Sequence, residues 1–367
     1  MKISRISVYQ VDLPLKKPYW LSGGRLKFEQ LDSTMVSIET DAGITGWGEG
    51  CPWGVTYLPG FGRGIRAGLS ELGPQLIGLD PRVPAQINLM MDVALPGHPY
   101  IKAPVDIACW DILGQVAGLP LCDLLGGRHG GPVPIASSVS TGAPEEMLRL
   151  VENFREQGYR VHSAKIGGSD PDLDVARIRH LNSHQKPGEI IFFDLNRSWL
   201  PADAIMVMNQ VRDLGVIFEQ PCETFEENLK VSRATSHAIS LDEGIKEMSD
   251  LVRANAKGAA EIVNIKVSRV GGLTKARQMR DFCLSTGIKC LIMDTGGGAM
   301  SDTMVAHLAQ STPEASRIAA WDCASMVSVV SAQGAAAIDG HITAPDVPGL
   351  GSSPVMEVLG DPVAVYP

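Results

Sequence analysis

Two lysines and three carboxylates recur at near-equal spacing along the second half of the chain. They are Lys165, Asp194, Glu219, Asp242 and Lys266, separated by 29, 25, 23 and 24 residues. Each ends a short run rich in β-branched or aromatic residues, and an amphipathic stretch follows it. A strand with its returning helix takes roughly 25–30 residues in parallel βαβ architecture. The spacing therefore predicts that all five side chains emerge at the same end of successive parallel strands.

In a (β/α)8 barrel, that end of the strands is the catalytic face. Asp194, Glu219 and Asp242 would supply the hard oxygen ligands that Mg²⁺ prefers. Lys165 and Lys266 lie on strands across the barrel from each other, and partial burial beside another cation lowers a lysine pKa toward the working range of a base. A substrate carboxylate at the metal would hold its α-carbon between the two lysines. The pattern predicts Mg²⁺-assisted removal of an α-proton, because the dication stabilises the charge that develops.

Length and composition bound the class of protein. A chain of 367 residues suits a barrel of about 250 residues plus a second module. The net charge of −9 argues against nucleic-acid and anionic-membrane partners, which need a basic face. No apolar run approaches the length of a membrane span, no signal peptide is visible, and the seven cysteines are scattered without metal-ligand spacing. We therefore expect a cytoplasmic homo-oligomer with a small-molecule substrate.

Two kinds of pattern divide the chain. The first 125 residues read as an α+β module: residues 3–13 alternate, residues 34–40 and 44–49 form a hairpin, and helical patterns cover 64–94 and 103–118. Strand and helix patterns then alternate. The barrel strands are predicted near 132–140, 161–166, 189–195, 216–220, 238–242, 261–267, 289–294 and 317–322. We expect a capping domain at 1–125, completed by 330–367, and a barrel domain at 126–329.

The motifs around these residues resemble the enolase superfamily, in its muconate lactonizing enzyme and mandelate racemase branches. The matching motifs are residues 103–127, Asp194-x-Asn196-x-x-Trp199, Glu219-Gln220-Pro221, Asp242-Glu243, Lys266 with Gly271-Gly272-Leu273, and Pro348-Gly349-Leu350-Gly351. The resemblance implies an α/β fold, with an N-terminal α+β capping domain over a modified TIM barrel of the (β/α)7β type. It also implies a Mg²⁺ cofactor and abstraction of an α-proton.

The sequence departs from the family pattern at two strands. The second strand usually carries Lys-x-Lys, but Ser163 stands at the first position, so Lys165 is alone. No histidine ends the seventh strand, where Asp294-Thr295-Gly296-Gly297-Gly298 is found. A histidine base is therefore absent at that position, and two opposed lysines remain.

Aromatic and acidic residues near the predicted barrel mouth indicate the class of substrate. Two loop-like stretches of the capping domain, 18–24 and 51–60, carry Trp20, Trp53 and Tyr57, and the eighth strand ends at Trp321-Asp322. Aromatic rings beside acids suit a cationic nitrogen. The amides of the Gly-rich loop 295–298 are expected to contact a substrate carboxylate; a phosphate is the alternative. The predicted substrate-binding residues are Trp20, Tyr57, Ser163, Asn196, Asp294, Thr295, Gly296 and Trp321.

Three segments resemble the cis-3-hydroxy-L-proline dehydratases of this superfamily and, more weakly, its hydroxyproline betaine epimerases. They are PYWLSGGRLKFEQLDST, GEGCPWGVTYLPG and HSAKIGG. The resemblance implies loss of water to give Δ1-pyrroline-2-carboxylate, with Lys165 as the base and Lys266 as the acid. A racemase or 2-epimerase of proline-type amino acids or betaines is the alternative enzyme. A non-catalytic binding barrel is the alternative of another class.

Overall fold

The cap is built on a long antiparallel hairpin followed by helices. The computed structural model describes residues 1–168 and 170–367. The cap elements are β1 (Ile3–Leu21), β2 (Leu26–Thr40), β3 (Thr45–Gly50), α1 (Gly62–Leu76), α2 (Pro84–Ala94), α3 (Pro99–Ala117) and α4 (Leu121–Leu124). The predicted hairpin between β2 and β3 is confirmed, because Glu39 pairs with Thr45 across it.

Strand β1 is longer than its sequence pattern indicated. It continues beyond Leu13 to Leu21, so the prediction that 18–24 is loop-like is wrong for residues 18–21. Pairing with β2 is irregular between Pro14 and Tyr19 and then resumes. Prolines and lysines in this stretch interrupt the apolar alternation that marks a half-buried strand, although the backbone stays extended.

The second part of the chain forms a parallel eight-stranded sheet in sequential order from β5 to β12, preceded by the short β4 (Val133–Pro134). Its strands are β5 (Ala136–Val139), β6 (Val161–Lys165), β7 (Ile190–Asp194), β8 (Ile217–Glu219), β9 (Ala238–Leu241), β10 (Ile262–Lys266), β11 (Lys289–Met293) and β12 (Arg317–Ala320). A parallel bridge between Ile135 and Ala320 joins the first and last strands. Each predicted barrel strand is confirmed to within a few residues.

Helices follow the first seven strands of this sheet. They are α5 (Pro144–Glu156), α6 (Pro171–Ser183), α7 (Pro201–Gln210), α8 (Phe225–Ala234), α9 (Met248–Lys257), α10 (Val267–Val270), α11 (Leu273–Thr286) and α12 (Ala299–Gln310). Only 3₁₀ turns, Glu314–Ser316 and Ala324–Met326, flank β12. The arrangement confirms the modified (β/α)7β barrel under an α+β cap.

The end of the chain returns to the cap. Its elements are β13 (Ala332–Gln333), β14 (His341–Ile342), β15 (Ser353–Pro354), α13 (Met356–Leu359) and β16 (Ala364–Tyr366). Strand β16 pairs with β1, and the cap sheet has the order β16-β1-β2-β3. None of the helices in the described part of the chain combines the length and apolar character needed to cross a bilayer.

A buried histidine of the barrel is hydrogen-bonded to the segment that precedes the barrel and to the segment that follows it. His307 of α12 accepts a hydrogen bond at Nδ1 from the Cys122 backbone N–H (3.0 Å) and donates from Nε2 to the Leu350 carbonyl (2.8 Å). Burial lowers the pKa of His307 to about 4. The neutral ring is therefore part of the folded structure, because protonation of Nδ1 would remove the acceptor that Cys122 needs.

His307 should make folding sensitive to acid. Its pKa is lower in the folded state than the unfolded value of about 6.5, so the unfolded state binds the proton more tightly and stability falls as the pH drops from about 6.5 toward 4. At pH 5 the shifted pKa of His307 alone lowers the free energy of unfolding by about 2 kcal/mol. We expect His307→Gln to lose correspondingly less stability than wild type between pH 7 and pH 5 in urea unfolding. Equal losses in the two proteins would contradict the assignment.

Candidate active site

The five residues singled out by spacing stand side by side at the carboxyl ends of the barrel strands. Lys165, Asp194, Glu219 and Lys266 are the last residues of β6, β7, β8 and β10, and Asp242 directly follows β9. The parallel register pairs Lys165 with Asp194 and Asp194 with Glu219. All five are buried and line one cavity under the cap.

The charged groups are arranged as interlocking ion pairs. Lys165 Nζ donates to Asp194 Oδ2. Lys266 Nζ donates to Asp242 Oδ2 at 2.7 Å, and Arg269 Nη1 donates to Asp242 Oδ1 at 2.7 Å. Glu219 Oε1 accepts from the Asn264 side chain at 2.9 Å. Lys165 and Lys266 are four strands apart in an eight-stranded barrel, so they flank the cavity from opposite sides.

Protonation equilibria in the cavity follow from burial and from these pairs. Burial raises the pKa of Glu219 well above its ordinary value, and Asp194 and Asp242 raise it further. Burial would also raise the pKa of Asp242, but Lys266 and Arg269 lower it to about 2. Burial lowers the pKa of Lys165, yet Asp194, Tyr19 and Glu219 together raise it above its ordinary value. Lys165 paired in this way is an ammonium, which cannot accept a proton.

The donor set suits a hard dication. Within residues 1–168 and 170–367, no three acidic, histidine or cysteine side chains converge as a ready metal cluster, and the ammonium groups contact Asp194 and Asp242 instead. The three carboxylates nevertheless line the same cavity and are nearly solvent-free, and the charges of Asp194 and Asp242 make ionisation of Glu219 more costly. Oxygen donors with excess negative charge fit Mg²⁺, provided that the lysines release Asp194 and Asp242.

Most of the predicted substrate-binding residues line the cavity. These residues are Tyr57, Ser163, Asn196, Asp294, Thr295 and Trp321. Trp321 also lies beside Lys165, with Nζ 5.9 Å from the ring centroid. The Asp294 carboxylate is already bonded to the Ser268 backbone N–H and hydroxyl, and burial raises its pKa to about 6.

Two predicted binding residues lie elsewhere. Trp20 is half exposed and packs against Lys27, because successive side chains of a strand point to opposite faces and its neighbour Tyr19 faces the cavity. Gly296 packs against Cys51 and Leu31 of the cap and is not among the described residues that line the cavity. The structure therefore corrects the predictions for Trp20 and Gly296.

The Gly-rich loop binds an anion of the protein itself. Glu49, at the end of β3, accepts hydrogen bonds from the backbone N–H groups of Gly298 and Ser301 and from the hydroxyls of Ser33 and Ser301. Gly297, at φ +134°, has the Ser301 side chain so close that a Cβ would clash. The expectation that these amides contact a substrate carboxylate is therefore wrong for Gly298, and the loop instead fastens the cap to the barrel.

A second contact fastens the cap loop 51–60 over the site. The Tyr57 hydroxyl donates to Glu243 Oε1, and Asn196 Nδ2 donates to the Tyr57 oxygen at 3.1 Å. Arg197 donates to the Tyr57 carbonyl at 2.8 Å and stacks 5.1 Å from its ring. Burial, followed by the charges of Asp242 and Asp194, raises the pKa of Glu243 to about 7. The loop is thus held by the residues that neighbour the carboxylates.

Sequence reasoning missed several residues of this site. Tyr19, Leu21, Leu291, Met293 and Met326 line the cavity, and Arg269 pairs with Asp242. The alternation along β1 was the available signal for Tyr19 and Leu21, had residues 18–21 been read as a strand. Arg269 follows Lys266 within a single helical turn, a position that could have suggested a common carboxylate partner.

Comparison with protein-family models agrees with this arrangement. Residues 5–126 match the mandelate racemase / muconate lactonizing enzyme N-terminal domain. Residues 146–358 match the enolase C-terminal domain-like family. The two models together cover most of the chain.

Individual relatives cover most or all of the chain. The cis-3-hydroxy-L-proline dehydratase of Roseibium aggregatum is 45% identical over 100% of both chains. The hydrophobic dipeptide epimerase of Enterococcus faecalis is 30% identical over 84% of this chain and 87% of its own. A crystal structure of an enolase superfamily member from Roseovarius nubinhibens ISM, complexed with magnesium, is 53% identical, covers 100% of this chain and 99% of its own, and has a TM-score of 0.96.

Proposed function

This chain belongs to the mandelate racemase / muconate lactonizing enzyme family of the enolase superfamily, and we propose that it is a Mg²⁺-dependent dehydratase of cis-3-hydroxy-L-proline. Two lysines that flank three carboxylates in one cavity are the observation that carries the proposal. The dehydratase from Roseibium aggregatum supports the choice of substrate. Membership in this family of enzymes sets aside the alternative of a non-catalytic barrel.

The metal site would consist of Asp194, Glu219 and Asp242. Mg²⁺ bound there supplies positive charge beside the substrate carboxylate, where negative charge develops as the α-proton leaves. The same ion would compete with Lys165 for Asp194 and with Lys266 for Asp242. Release from Asp194 lowers the proton affinity of Lys165, because its strongest electrostatic partner is then shared with a dication.

The two lysines divide the proton transfers. Lys165 takes the proton from the α-carbon, and the electron pair of that C–H bond forms the double bond to C3. Lys266 gives a proton to the C3 hydroxyl, so the C–O bond breaks and water leaves. In the cis isomer the α-hydrogen and the hydroxyl lie on opposite ring faces, which suits an anti elimination between opposed lysines. The enamine tautomerises to Δ1-pyrroline-2-carboxylate.

Aromatic residues would hold the ring nitrogen. Trp321 and Tyr57 line the cavity together with the buried Asp294. Each contact between a cation and a ring is worth roughly 0.5–2 kcal/mol, depending on desolvation. Ser163 leaves this pocket with one ammonium fewer than a lysine would, which favours a cationic substrate.

An epimerase of proline-type amino acids or hydroxyproline betaine is the second candidate. Opposed lysines can remove and return an α-proton on opposite faces without any leaving group, and a dipeptide epimerase is among the relatives. The two activities differ in one observable, because only the dehydratase releases water.

Charge-removing variants test the metal site. We expect Asp194→Asn, Glu219→Gln and Asp242→Asn each to weaken Mg²⁺ binding at least tenfold in calorimetric titration, because a neutral amide is a poor ligand for this ion. Glu223→Gln, an exposed carboxylate on a neighbouring loop, serves as the control and should bind Mg²⁺ as wild type does. Wild-type affinity in all three ligand variants would refute the assignment.

Lysine variants separate the two proton transfers. We expect Lys165→Ala to abolish both turnover and exchange of the substrate α-hydrogen in D₂O, because no base remains on that face. Lys266→Ala should lose elimination but retain some exchange. The exposed Lys246→Ala is the control and should behave as wild type. Unchanged turnover in either cavity variant removes that lysine from the mechanism.

A substrate panel tests the function itself. With Mg²⁺, the purified protein should convert cis-3-hydroxy-L-proline to Δ1-pyrroline-2-carboxylate, followed by ¹H NMR in D₂O. The trans isomer should react more slowly, because its elimination would have to be syn. Absence of the pyrroline product, together with rapid 2-epimerisation of hydroxyproline betaine, would identify the epimerase instead.

A further inference from the structure

A cap tyrosine reaches into the barrel on the side of Lys165. The Tyr19 hydroxyl is hydrogen-bonded to Ser138 Oγ of β5 at 2.5 Å, and Tyr19 lines the cavity. Ser138 is in register with Ser163 of β6, and Lys165 lies two residues further along the same face of that strand. Both serines are small, and Ser163 and Lys165 are separated by two residues of strand, or about 7 Å along β6.

Tyr19 is held rigidly in this position. Its ring packs edge-on against Trp53, with centroids 5.2 Å apart, and Trp53 in turn packs against Phe28. The hairpin tip beyond it docks on the barrel, because Ser22 Oγ donates to the Asn196 carbonyl at 2.9 Å. The hydroxyl is therefore a fixed group that other side chains can approach.

Lys165 needs a second partner during the reaction. Among residues 1–168 and 170–367, its Nζ donates a hydrogen bond to one side chain, that of Asp194. Asp194 is a proposed metal ligand, so Mg²⁺ bound there would compete with Lys165 for the Asp194 oxygens. The Trp321 ring, 5.9 Å away, supplies a surface without a hydrogen-bond acceptor on that side.

We propose that Tyr19 is a positioning residue that replaces Asp194 as the hydrogen-bond partner of Lys165. This proposal rests on the proposed function. The flexible lysine stem can span the distance. The phenol can donate to Ser138 and accept an amine N–H at the same time. With that N–H engaged, the lone pair of the neutral amine is directed toward the substrate α-carbon. The docked cap thereby orients the base.

Tyr19→Phe tests this role, because it removes the hydroxyl and keeps the ring against Trp53. We expect kcat for α-hydrogen exchange to fall about 10–100-fold, as for a misplaced catalytic group. KM and the Kd for Mg²⁺ should stay within about twofold, since neither the substrate nor the metal loses a contact. Tyr9→Phe, on the same strand but outside the cavity, is the matched control and should match wild type. Ser138→Ala should lower kcat in the same direction.

A crystal structure of the Mg²⁺-bound protein supplies a readout that does not depend on turnover. Tyr19 Oη and Lys165 Nζ should lie within hydrogen-bonding distance there. Exchange at the wild-type rate in Tyr19→Phe, or a Lys165 amine bonded elsewhere in the Mg²⁺-bound structure, overturns the proposal. If no proline derivative reacts with wild type, the proposed substrate fails, and the Tyr19–Lys165 distance alone decides the positioning role.

Discussion

Charge buried beneath the cap is the constraint on which the rest of the structure depends. Asp194, Glu219 and Asp242 are at most 4% exposed, and each ionised group taken out of water costs several kcal/mol unless an opposite charge or donor adjoins it. The barrel meets this requirement through strand register, which sets Lys165 beside Asp194. A slip of one residue would turn these side chains away from the cavity and leave the carboxylates without partners.

The same constraint explains how the cap is attached. If the cap were weakly attached to the barrel, water would reach the ion pairs and weaken them. Glu49 prevents this by placing a buried carboxylate on the amides that begin α12, and Tyr57 bonds to Glu243 at the cavity wall. Strand β16 adds the end of the chain to the cap sheet. Polar contacts with strict geometry thus determine where the cap sits.

The barrel could be predicted from the sequence because its signal is periodic. Strand ends recur at steps near 25 residues, and parallel strands present their carboxyl ends on one face, so the positions of Asp194 and Glu219 follow from spacing alone. The cap has no such repeat. Predicting whether Trp20 or Tyr19 faces the cavity requires knowing which residues of β1 point inward. The alternation that would show this is interrupted by Pro14 and Pro18.

Long-range contacts are the second reason why parts of the site could not be predicted from the sequence. The Gly-rich loop is predicted to bind a substrate carboxylate, but the Gly298 amide donates to Glu49, which lies 249 residues earlier in the chain. The local sequence indicates that the amides of this loop are free to bind a carboxylate. It does not indicate whether that carboxylate belongs to the substrate or to a distant residue of the protein. The Arg269–Asp242 ion pair could not be predicted from local sequence either. Its two residues follow neighbouring strands and come together only in the folded barrel.

Charge balance also orders the events at the proposed active site. In the arrangement described, each lysine is paired with a carboxylate, and Lys165 cannot act as a base while its pair with Asp194 persists. A dication that takes Asp194 and Asp242 removes this need, and it does so only where three carboxylates adjoin. Positive charge would then be in excess until the substrate carboxylate arrives. Charge balance therefore favours an order in which the metal binds first, the substrate carboxylate then offsets the excess positive charge, and Lys165 loses its proton last.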